Sequence, residues 1–184
     1  TTTVTRVLVD NNYFQGISTY NEAEIPDVLT LEDVIIRNTK PTPALRDSEK
    51  FPWVDNEAGI GLLVWGGEVY AKRLLLEENT SSNIVVMESA FPCNTETVGA
   101  CGDAYALLED VISKKPQMDT TGHFGTGMVI MDGAEALVSK ADFSQSKLSG
   151  ILIIDALRRN GSGNTIALFT DVSVNDVSAA ETAD

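Results

Sequence analysis

The chain has 184 residues, 43% of them hydrophobic, enough to bury one ordinary core and too apolar for a disordered polymer. A formal charge of −14 and a pI near 4.3 set its surface against phosphate, because nucleic-acid binding draws its affinity from Lys and Arg displacing counterions; direct nucleic-acid partners are not expected. No apolar run reaches the roughly 18 residues that cross a bilayer, and the start "TTTVTRVLVDNN" lacks the regions of a secretory leader, so the expectation is a soluble protein without a membrane partner.

In chain order, residues 1–24 join an apolar alternation, "VTRVLV", to the polar run "DNNYFQGISTYNEAE". Few of these groups build a core, so the segment reads as an extended N-terminal arm that orders against a partner. "IPDVLTLEDVIIRN", residues 25–38, is rich in β-branched residues and predicts a strand or a pair of short strands. "TKPTPALRDSEKFPW" holds three of the six prolines and reads as a loop. In "AGIGLLVWGGEVYAKRLLLEEN", residues 58–79, two apolar runs flank Gly66-Gly67, which predicts a hairpin with Trp65 near Tyr70. "SNIVVMES" adds a short strand. The segment Asp103 to Lys115 predicts the one helix: Asp103 as cap, Leu107, Leu108 and Val111 on one side, Lys114 and Lys115 at the C-terminal dipole, Pro116 as the stop. "MVIMDGAEALV" repeats the hairpin logic around Asp132-Gly133. "SGILIIDALRRNGSGNTIALF", residues 149–169, fits a helix ending at Arg158-Arg159 or two strands joined by "NGSGN". Residues 176–184 form an acidic tail. The expected fold is mainly β (α+β): a compact β-rich domain over residues 25–175, built of short strands and hairpins around one short helix.

Groups that do chemistry are sparse. The single histidine, His123, would have to fill every histidine role alone, so no catalytic triad or dyad is expected. Glu77-Glu78 and Glu109-Asp110 are acidic pairs in a chain with 27 carboxylates and read as solvated faces. No CxxC or HxxxH spacing occurs, and neither "DNN" at residues 10–12 nor "DVSVND" has the spacing of a calcium loop, so no metal or cofactor is expected. Cys93 and Cys101 either close a small loop disulfide or stand as two free thiols. The expectation is a protein without catalytic residues.

One stretch, "GILIIDALRRNGSGNTIALFTDVSVN", Gly150 to Asn175, resembles the signature region of tailed-phage head decoration proteins of the lambda protein D type. Gly150, Ile151 and Leu152 stand at its first strand, Asn160 to Asn164 at its turn, and Thr165, Ile166, Ala167 and Leu168 at its second strand; "TDVSVN" lacks the glycine of the family pattern. The resemblance implies two strands here, and a structural virion protein that binds the outside of the capsid and stabilises the expanded head. It implies the major capsid protein as partner, trimers on the outer capsid surface, and synthesis in the host cytoplasm. The candidate capsid-binding residues are Val4, Val7, Leu8, Val9, Tyr13 and Phe14 of the arm, with Trp53 and Trp65 as further interface candidates; all of them could equally be core residues, and Trp65 fits a core position better than an interface one. Rival readings are a tail tube or capsid protein, or a small-molecule-binding module with a pocket near His123 and Trp65.

Overall fold

Long strands carry this molecule, and every one of them pairs in parallel. The computed structural model describes residues 1–20, 27–41, 59–88, 104–118, 125–154 and 165–178. Sheet 1 contains β1 (Thr2–Asp10), β3 (Val28–Arg37), β5 (Gly67–Glu77), β7 (Ala104–Lys114), β9 (Glu135–Ser144) and β11 (Ile166–Asn175), neighbours in that order. Sheet 2 contains β2 (Gln15–Tyr20), β4 (Ile60–Trp65), β6 (Ser82–Met87), β8 (Thr126–Met131) and β10 (Ile151–Ile154), also in chain order. The chain therefore alternates between the two sheets and climbs by one strand at each return, the arrangement of a parallel β-solenoid.

The inner faces of both sheets enclose one core that runs the length of the stack. Leu31, Ala71, Leu108 and Val138 occupy one level of sheet 1 in successive strands, and Ile36, Leu76, Ser113 and Phe143 another. Leu62, Val64, Ile84, Val86, Met128 and Ile130 face them from sheet 2. Small and large residues alternate where space demands it. The buried Phe143 ring lies beside Ser113 and Gly127, and a Cβ on Gly127 would come within 3.0 Å of that ring and 2.5 Å of the Gly150 carbonyl.

This architecture overturns the expected α+β fold. No helix occurs among the described residues, and the segment expected to be helical is β7. Its inward residues are Ala104, Ala106, Leu108, Val111 and Ser113, so the spacing widens from two to three between Leu108 and Val111 and imitates one helical turn. Lys114 and Lys115 pair with Glu77 and Glu78 of β5 and its exit at 3.1 and 3.7 Å, with no helix dipole to serve. The expected hairpins are absent as well. Gly66-Gly67 and Asp132-Gly133 each send the chain from sheet 2 into sheet 1, so the flanking strands never pair with each other. Gly67 takes φ +79°, and its missing side chain leaves room for the Asp27 carbonyl, which accepts the Glu68 N–H at 2.8 Å. The strand expected over residues 25–38 is β3, and "SNIVVM" is β6. In the open segment, Ile151–Ile154 is a strand of sheet 2 and Ile166–Asn175 a strand of sheet 1, so the two belong to different sheets.

Candidate assembly surface

The same irregularity recurs in every strand of sheet 1. Arg6, Asp33, Arg73, Asp110, Lys140 and Asp171 all have φ between 50° and 56°, and each stands one residue before the matched set Val7, Val34, Leu74, Val111, Ala141 and Val172. A left-handed residue inside a strand breaks the inward–outward alternation, so it and the residue before it both face outward. Non-glycine residues avoid this region, and each instance costs about 1–3 kcal/mol unless its surroundings enforce it. Here six strands enforce it together, because the kink stacks in register.

The charges along this row alternate without exception: Arg6, Asp33, Arg73, Asp110, Lys140, Asp171. Arg73 donates to both Asp33 carboxylate oxygens, Nε to Oδ1 at 2.5 Å and Nη2 to Oδ2 at 3.1 Å, and also donates to Glu32. That guanidinium, assisted by the field of Arg6, holds the Asp33 carboxyl below the usual carboxylate range. On the neighbouring row Lys72 and Lys140 converge on Glu109 at 3.3 and 2.9 Å and lower its pKa; Glu109, then Asp110 and Asp171, raise that of Lys140.

A second row closes the far end of the strands. Asp10, Arg37, Glu77 and Lys114 alternate, linked at 3.1, 3.9 and 3.1 Å. Hydrogen bonds from Asn38 and Arg37 lower the Asp10 pKa. Where the charges stop, Asp142 takes over: it accepts from Ser144, Ser173 and Asn175 at 3.1, 2.6 and 3.2 Å. Beyond this row, Asn11, Asn38, Glu78, Lys115, Gln145 and Asp176 are again left-handed, turning the chain out of sheet 1.

Between these charged rows lies an aliphatic one. Leu8, Ile35, Leu75 and Ile112 stack on the outer face of sheet 1; Leu8 is 55% and Ile112 47% exposed. The outer face of sheet 2 is the opposite: Ile60, Leu63, Trp65, Val85, Met87 and Val129 form a second buried apolar cluster. Trp65 is 3% exposed and meets the Tyr20 ring edge-to-face at 5.2 Å.

The candidate interface residues divide accordingly. The segment expected as an arm supplies β1 and β2, so Val4 and Val9 pack against the shared core, Val7 and Leu8 are exposed, and Phe14 packs on the outer cluster of sheet 2. Tyr13 is 63% exposed and bridges to Lys40. Trp65 is a core residue of sheet 2 and lies on the other sheet from Tyr70, whose hydroxyl donates to Glu68 at 2.8 Å. Trp53, His123, Cys93 and Cys101 lie outside the described residues, as do residues 179–184 of the acidic tail.

Open depressions among the described residues include two. One, of about 310 Å³, is lined by Phe14, Gln15, Ser18, Thr19, Tyr20, Leu63 and Trp65; the other, of about 430 Å³, by Lys115, Gln117, Gln145, Lys147, Asp176 and Ser178. Among the described residues no three His, Cys, Asp or Glu side chains are placed to hold a metal ion. Comparison of the chain with protein-family models, with curated proteins and with solved structures finds no match.

Proposed function

We propose that the chain is a structural, non-catalytic virion protein of the head-decorating kind, and that it meets the capsid through the outer face of sheet 1. The observation that carries this reading is the outward-facing aliphatic row Leu8, Ile35, Leu75 and Ile112, exposed at all but the half-buried Leu75 and framed on both sides by rows of alternating charge. A broad, regular surface of this kind makes many modest contacts at once, and repetition of the same contact over a symmetric shell multiplies its strength. The major capsid protein is the partner, and the shell supplies the symmetry for a trimeric arrangement.

Co-sedimentation with expanded and unexpanded heads of the parent phage tests it. Removing residues 1–16 would delete β1 and the first residues of β2, so a surface variant is the sound comparison. The expected result is saturable binding to expanded heads, lost in the Leu8→Asp, Ile112→Asp double variant while its fold persists by circular dichroism. No binding to either head would sink the role.

A second reading has one observation in its favour. The depression beside Tyr20 and Trp65 combines aromatic side chains with the polar residues Gln15 and Ser18, a lining suited to a small organic ligand. A ligand whose affinity fell in Tyr20→Ala would favour it.

A further inference from the structure

Among the described residues both ends of sheet 1 are open strand edges: there β1 has only β3 as a neighbour and β11 only β9, so each presents a row of backbone groups without a strand partner, the usual template for adding another strand. Their chemistry matches along the inner face and the charged row, while Leu8 would lie beside Ser173 and Thr3 beside Leu168. Continuing the register of the sheet across a junction from β11 to the β1 of a second copy would set Phe169 beside Val4, Val172 beside Val7 and Val174 beside Val9 on the inner face. It would set Thr170 beside Thr5, Asp171 beside Arg6 and Asn175 beside Asp10 on the outer face.

Two features make this register distinctive. The kink residues Arg6 and Asp171 have φ 54° and 53°, so the bend of one edge meets the same bend in the other only when these two residues are level. Among the described strands the alternating row has an even number of members, six, with a cation on β1 and an anion on β11. An odd number would leave like charges at the two ends. The Asp171–Arg6 contact would continue the pattern that already holds Asp33 to Arg73 within the chain.

We propose that a second copy of this chain stacks head to tail on the first, β11 against β1, extending sheet 1 across the junction with Asp171 paired to Arg6. Such a contact is heterologous and does not close on itself, so it builds linear arrays. Sheet 1 makes the junction alone: β11 has no sheet 2 counterpart among the described residues, which leaves sheet 2 one strand short at that level. The stacking uses the sheet edges and the capsid reading uses the outer face, so the failure of one leaves the other standing.

The test is sedimentation velocity of the chain Thr1–Asp184 over a range of concentrations, at low and high salt, with electron microscopy of the largest species. The expected result is a salt-sensitive series of oligomers with an axial period of roughly 29 Å, six strands at about 4.8 Å each. Arg6→Asp alone and Asp171→Arg alone are each expected to associate at least tenfold more weakly. An equimolar mixture of the two is expected to recover association, because every mixed junction again pairs opposite charges. Should Arg6→Asp disturb β1 by circular dichroism, Arg6→Gln replaces it, with weaker association that no longer responds to salt. A wild-type chain that stays monomeric at low salt overturns the proposal, and so does assembly that the single charge variants, or Arg6→Gln in their place, leave unchanged.

Discussion

The two sheets solve the same stacking problem with different physics. Sheet 2 is apolar on both faces: β4 and β6 are buried at every residue, with Leu62 and Val64 facing the shared core and Leu63 and Trp65 the outer cluster. Continuous apolar strands of this kind are what two-sided burial demands. Sheet 1 is buried on one face only, and its outer face carries rows of charge that alternate from strand to strand. Dispersion and exclusion of water hold sheet 2 without saying much about register, since one aliphatic residue beside another is satisfied in several alignments. The charged rows of sheet 1 contribute little energy at an exposed surface, yet a slip by one strand or one residue sets like charges together or misaligns the kinks. Stability and register are thus divided between the sheets.

Substitutions at matched outward positions break this comparison most sharply. Leu63→Ala on sheet 2 is expected to lower unfolding free energy by about 2–5 kcal/mol, whereas Ile112→Ala on the outer face of sheet 1 should stay within about 0.5 kcal/mol, both read by equilibrium denaturation. Next in size is the polar corner that joins the sheets. Asn79 accepts the Thr39 N–H at 3.1 Å and donates to Asn83 Oδ1 at 2.8 Å; Asn83 in turn donates to Ser113 Oγ at 3.0 Å and to the Lys114 carbonyl at 3.2 Å. Both asparagines are fully buried, so Asn83→Ala should cost about 1–3 kcal/mol for each group left unpaired.

Reversing one charge in the row is expected to do less. Arg73→Asp places a third carboxylate beside Asp33 and Glu32, and the denaturation midpoint should fall at low salt and recover most of the loss at high salt. Smallest of all is the acid dependence of the wild type. Asp10, Asp33 and Glu109 have folded pKa values below the ordinary range, so their contribution is complete above about pH 4 and is lost as pH falls through the lower, folded values. A thermal-melt series should show a further decline on that acid limb, and Asp33→Asn should flatten it. Lys140, whose pKa is raised by Glu109, gives the mirror case, lost only as alkaline pH rises through its folded value.

Strand content was readable in the sequence and strand direction was not. β-branched runs mark β3, β4 and β6 plainly, but a glycine pair between two such runs serves a hairpin and a crossing between sheets equally well, and only long-range pairing separates them. The kinked strand was harder, because its inward spacing of two, three, two resembles a helical turn where leucine and lysine dominate, as in β7. One signal was present. "LEDVI" occurs at residues 31–35 and again at 108–112, with both acidic pairs at the kink, and "AKRLLL" at residues 71–76 has the same pattern with the charge reversed. The uneven spacing of these repeats hid the period, since residues 31, 71, 108 and 138 stand at one level although the connecting segments differ in length. Of the candidate residues, Leu8 faces outward, while Trp65 belongs to the core of sheet 2, the alternative its sequence position already allowed.

The most direct test of the stacked parallel arrangement is a nuclear Overhauser spectrum of the labelled chain. Contacts between the backbone groups of Val64 and Val86, and of Leu74 and Val111, are expected, because those residues are parallel neighbours in sheets 2 and 1. Cross-strand contacts between the amides of Leu63 and Tyr70 would place β4 and β5 in one antiparallel hairpin and contradict the solenoid.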